Sequence, residues 1–98
     1  MGHTVVCARR SVAYSLSLPP ALVASGWKVK IRDRERCETP HVSVLRRLAC
    51  WRVSLRDMSL LDSSPDPRRV PAALLTEVWR ARELLTRAWN GMYPENPV

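Results

Sequence analysis

Glycine is scarce in this chain, three residues in 98, and that scarcity excludes the Gly-rich loops that cradle nucleotide phosphates. No P-loop, G-x-S-x-G, H-E-x-x-H or dinucleotide fingerprint occurs either, so no catalytic motif names a reaction. Long apolar runs are missing too: none approaches the roughly 18 residues that span a bilayer. Arg9 and Arg10 precede a partly apolar stretch, but Pro19 and Pro20 interrupt it and no A-x-A site follows, so no secretory leader is expected. Cysteine is odd in number, and Cys7, Cys37 and Cys50 lack paired spacing, which argues against a disulfide framework and for a reducing cytoplasm. Cys37, His41 and Cys50 supply no fourth ligand for structural zinc, so neither a metal nor a cofactor is expected. Acidic side chains are few, 9 against 16 Lys and Arg, a formal net charge of +7.

What is present is a run in which every second residue is basic: Lys28, Lys30, Arg32, Arg34 and Arg36, with Trp27, Val29 and Ile31 between. Successive side chains of a strand point to opposite faces, so the run predicts a half-buried strand with a cationic outer surface. Cations along that surface recur about every 6 to 7 Å, comparable to the repeat of a polyphosphate backbone. The charge is local. Residues 26 to 56 hold nine basic and three acidic side chains, whereas residues 71 to 98 hold three of each.

Pro19-Pro20 to Gly26 reads as a short helical turn, opened by proline and closed by glycine. Pro40 breaks the basic strand. Two further strands, His41 to Leu45 and Cys50 to Arg56, form a hairpin with Val42, Val44, Trp51, Val53 and Leu55 on one face and His41, Ser43, Arg52, Ser54 and Arg56 on the other. Its connection, Arg46-Arg47-Leu48-Ala49, has no Gly, Asn or Asp, so a looser four-residue loop is expected rather than a tight primed turn. Leu60-Leu61 offers a fourth strand, and the Pro-rich stretch from Asp62 to Pro71 is an extended connector. From Pro71 the period becomes helical: Leu74, Val78, Ala81, Leu85, Ala88, Trp89 and Met92 line one face of a helix of about 20 residues, ended by Asn90-Gly91. Leu75 and Trp79 widen that arc and offer a flank for a homodimer.

Together these elements predict an α+β fold, a three- to four-stranded antiparallel sheet with one long C-terminal helix packed on one face. Residues 1–18 form a partly ordered arm, 19–93 a single domain and 94–98 an extended tail. The uncovered sheet face then carries Lys28, Lys30, Arg32, Arg34, Arg52 and Arg56, a surface suited to phosphates of nucleic acid, RNA foremost. Its tryptophans point inward, which favours backbone contact over base stacking. The same charges suit an acidic protein partner. A third reading is a small ribonuclease with His41 as general acid or base and an arginine beside it.

Gly26-Trp27-Lys28-Val29-Lys30-Ile31, Thr39-Pro40-His41-Val42-Ser43-Val44, Trp51-Arg52-Val53-Ser54-Leu55, and Trp89 through Met92-Tyr93-Pro94 together resemble a group of small bacterial domains of uncharacterised function. Those domains share a strand, a Pro-His-Val strand, a hairpin and a long C-terminal helix, and are suspected of belonging to toxin-antitoxin modules. The resemblance implies a bacterial regulatory or defence setting without naming a chemistry. Related domains often carry His-Pro-Pro-His-x-His where this chain has Cys37-Glu38-Thr39-Pro40-His41-Val42, with one histidine. Glycines expected in the hairpin and after Leu55 are replaced by Leu48 and Met58 or their neighbours.

Overall fold

A computed structural model describes residues 14–32 and 37–98; Arg34 and Arg36 of the basic run lie outside the described residues. The architecture is α+β. Four antiparallel strands lie in the order β1-β2-β3-β4: β1 (Tyr14–Ser15), β2 (Trp27–Ile31), β3 (His41–Arg46) and β4 (Ala49–Ser54). The fourth strand is N-terminal, with Tyr14 opposite Ile31 and the amide of Leu16 donating to Val29 at 2.9 Å. Leu60, expected in that role, makes only an isolated bridge to Val53 on the far edge, where Leu61 N donates to Arg52 O at 2.8 Å.

The alternation seen in sequence sets the burial. Trp27, Val29, Ile31, Val42, Val44, Trp51, Val53 and Leu55 are all buried, joined by Val70, Leu74, Val78, Leu85, Trp89 and Tyr93 in one core. Each such side chain contributes about 1.5–3 kcal/mol on leaving water. The two fully buried tryptophans keep their N–H groups satisfied: Trp51 donates to Pro65 O at 3.0 Å and Trp89 to Asn96 O at 2.6 Å.

Helix α1 (Pro20–Ala24) starts on proline and stops at Gly26, whose φ of +90° a side chain would resist. Arg46 donates from Nε to Ser25 O at 2.9 Å, tying this short helix to the sheet. The expected single C-terminal helix is two helices, α2 (Ala72–Arg80) and α3 (Arg82–Met92), which meet at Ala81 with φ −93° and ψ 9°. Neither proline nor glycine sits at that break, so no residue type announces it. Gly91 does not end α3 but lies inside it. Residues 94–98 turn back rather than extend: Val98 N donates to Asn90 Oδ1 at 2.8 Å and Asn96 Nδ2 to Glu38 O at 2.6 Å.

The β3–β4 connection is tighter than the loop expected from its residues. Arg46 pairs directly with Ala49, so the turn has two residues, Arg47 and Leu48. Arg47 holds φ at +55°, and it alone of the two is positive, the pattern of a II′ turn. The register of the two strands is strong enough to impose on arginine a conformation that glycine adopts at lower cost. Met58 does the same after Leu55, with φ +63°.

Candidate functional site

Antiparallel partners share a face, and the register therefore lays out the surface opposite the apolar stripe. Ser15, Lys30, Ser43 and Arg52 form one row across all four strands, and Lys28, Leu45 and Cys50 form the next row towards the hairpin turn; Ser43 and Ser54, expected on the open face, are buried. Lys28 is exposed and Lys30 half-buried, and no carboxylate pairs with either among the described residues. Ser15, Ser17, Lys28 and Lys30 line a cleft of 530 Å³ between the N-terminal segment and β2. Two hydroxyls and two ammonium groups there are donors of the kind a phosphate accepts. Arg32, also exposed, reaches Cys50 Sγ with Nη2 at 3.2 Å.

The other corner of the face is not free cation. Arg52 holds Asp62 with Nη2 to Oδ1 at 2.8 Å and Nε to both carboxylate oxygens at 3.1 and 3.2 Å, and its backbone N donates to Oδ2 at 2.8 Å. Glu38 Oε1 lies 3.4 Å from Nη1 of the same guanidinium. The hydrogen bond from Arg52 holds the Asp62 carboxyl below the usual carboxylate range, and the same bond raises Arg52. One cation facing two carboxylates leaves that corner neutral to negative, so Arg52 does not act as the phosphate holder expected from its place in the alternation. Arg56 is not on the face. β4 ends at Ser54, and Arg56 donates instead to Pro97 O at 3.3 Å.

His41, read from the alternation as part of the open face and as a general acid or base, is buried, with 0% exposure. Its Nδ1 lies 2.7 Å from Thr39 O; a carbonyl only accepts, so Nδ1 carries the proton. Nε2 lies 3.8 Å from Glu38 Oε1, and the ring centroid lies 5.5 Å from that of Trp89. A ring enclosed in this way presents no edge to a ribose hydroxyl, and its contacts are those of a packed core residue.

A second basic cluster, which the alternation did not single out, sits at the hairpin end. The Arg46 guanidinium lies 5.4 Å from the Trp27 ring and the Arg69 guanidinium 5.4 Å from Trp51, with the two indoles 5.7 Å apart. These arginines thus stack over a buried tryptophan pair. Arg46, Arg47, Leu48, Ala49, Pro65 and Arg69 line a shallow groove of 410 Å³ without a carboxylate. The nearby Asp66 is held by Arg68 at 2.9 Å, and that hydrogen bonding lowers its carboxyl below the usual range. The dibasic pairs Arg46-Arg47 and Arg68-Arg69 were the available signal in the sequence, but only folding brings them to one end.

Cys37 is exposed and Cys50 half-buried, and among the described residues no three His, Cys, Asp or Glu side chains gather as a metal site would need. Trp79 is 55% exposed on α2 with the Arg82 guanidinium 4.4 Å over its ring. Among the described residues no helix is long and apolar enough to cross a membrane. Compared with protein-family models, with curated proteins and with solved structures, the chain matches none.

Proposed function

We propose that this protein is a small basic module that binds nucleic acid, RNA foremost, through phosphate contacts on the outer sheet face. The observation that carries the reading is the pair Lys28 and Lys30: same face, adjacent rows, no carboxylate partner among the described residues, and two serine hydroxyls beside them. Lysines of that kind bind phosphate as point charges. Arg32 turns its guanidinium across the face to Cys50, and Arg52 orders its corner with Asp62 rather than binding. The bacterial toxin-antitoxin-like or regulatory setting rests on the resemblance of the strand and helix motifs alone.

The test is binding of a short labelled RNA across a salt series, with the native protein beside a Lys28→Ser, Lys30→Ser variant of unchanged thermal unfolding. Loss of two phosphate contacts makes the log-log salt slope shallower by roughly 1.4 on a single strand, at about 0.7 per contact. Equal slopes for the two proteins would refute the face. No RNA binding at low salt would refute the reading as a whole and leave the docking of an acidic protein partner as the explanation of the unpaired lysines.

A further inference from the structure

Among the described residues, the outer sheet face carries its unpaired charge unevenly. On β4 Arg52 is consumed by Asp62 and Glu38; on β2, Lys30 and then Lys28 run towards the end of the sheet that carries Arg47 at the turn, while Arg46 and Arg69 lie on the opposite, apolar face of that end, over Trp27 and Trp51. A phosphate backbone lying on the lysines is therefore drawn towards the β3–β4 turn. There it meets a two-residue tip whose arginine is exposed and has no ion pair among the described residues, and whose leucine, Leu48, has 103% of its reference surface in solvent. The tip is also strained, since Arg47 occupies a positive φ where glycine would relieve it.

Among the described residues, nothing on the sheet surface offers a base a stacking platform. Trp27 and Trp51 are 5% and 0% exposed, and Tyr14 pairs with Ile31 on the apolar side. Single-strand binders depend on such platforms. A narrow ribbon ending in one apolar side chain flanked by cations suits the groove of a double helix instead. Its two strands lie about 4.8 Å apart. The wide, shallow minor groove of an A-form duplex admits that tip, with arginines reaching sugar hydroxyls and phosphates on either side.

We infer that the ligand of the basic face is double-stranded, and that Arg47 and Leu48 at the hairpin tip enter a groove of the duplex while Lys28 and Lys30 hold the flanking phosphates. The inference rests on the nucleic-acid reading of the face and adds the form of the ligand and the residues that sense it.

Arg47→Gly separates binding from folding, because it relieves the positive φ while removing the charge. It is expected to raise the melting temperature by a few degrees, about 3–5 °C, and yet to weaken binding of a short blunt RNA duplex roughly fivefold to tenfold, with a salt slope shallower by about 1. Leu48→Ser changes a fully exposed residue and is expected to weaken duplex binding about tenfold, from the lost burial of one leucine. The native protein is expected to prefer the duplex over either component strand by at least about tenfold, and a DNA duplex of the same sequence to bind less well, because its minor groove is narrow. If single strands bind as tightly as the duplex, or if both tip variants bind like the native protein while Lys28→Ser, Lys30→Ser does not, the duplex inference is overturned and the phosphate-binding face stands. If no RNA of either form binds, the face reading itself fails.

Discussion

Asp62 shows how a single carboxylate can decide what a cation does. In sequence Arg52 looks like one of six equivalent cations; in the structure it is held at four points by one aspartate. Because the native carboxyl lies below its unfolded value, its stabilising contribution is complete above about pH 4 and is lost as pH falls through the lower folded value. Asp62→Asn is expected to cost about 1 kcal/mol at pH 7, with Arg52 partly exposed and so partly screened, and to show a smaller deficit relative to the native protein in urea unfolding at pH 3. An equal deficit at both pH values would mean that the ionised carboxylate is not what stabilises the corner. His41 makes the complementary case. Its removal leaves a cavity beside Trp89, so His41→Ala is expected to destabilise by about 2–3 kcal/mol and to leave RNA affinity unchanged where the protein is folded. A loss of affinity without a loss of stability would return the histidine to the binding surface.

At the scale of the element, glycine and its substitutes determine where strands and helices end. Gly26 holds φ +90° after α1, so Gly26→Ala is expected to cost about 1–2 kcal/mol. Gly91 lies inside α3, and an added Cβ there would meet nothing within 4 Å, so Gly91→Ala is expected to stabilise by about 0.5–1 kcal/mol. Thermal unfolding separates the two by the sign of the shift, at about 4–8 °C per kcal/mol for a domain of this size. From sequence alone both glycines take the same role, because Asn-Gly after an apolar helix is a common stop signal. In α3 the tail overrides it: Trp89 and Asn90 receive partners from residues 96 and 98, which hold the last turn in place. The tight hairpin is a similar case. Turn chemistry argued for a loose loop, but six consecutive β3–β4 pairs impose the two-residue turn despite its cost.

For the whole molecule, the C-terminal tail closes the structure. Asn96 bonds to Glu38 O and receives the Trp89 indole, Tyr93 Oη donates to Arg32 O, and Pro97 O accepts from Arg56. Deleting residues 94–98 is expected to lower stability by about 2–3 kcal/mol by stranding a buried indole N–H and opening the core beside it. Retention of the native melting temperature in that truncation would show the tail to be ornamental. The same closure explains why Arg56 faces the tail rather than the basic surface.

Alternation by two in Trp27 to Ile31, Val42 to Val44 and Trp51 to Leu55, and recurrence by three and four in Leu74, Val78, Leu85 and Trp89, were sufficient to assign the α+β class and the core, because burial follows from backbone periodicity alone. The sign and approximate place of the charge were equally local properties: Lys28 and Lys30 face outward because their neighbours must face in. Which cations remain unpaired is a different kind of property. Asp62 lies ten residues from Arg52, and Arg69 lies over a tryptophan from another element, so neither contact has a period to betray it. The helix break at Ala81, the enclosure of His41 and the strained arginine at the turn likewise belong to tertiary structure. Each is settled by what packs against it, and packing partners distant in the chain leave no pattern in the residues themselves.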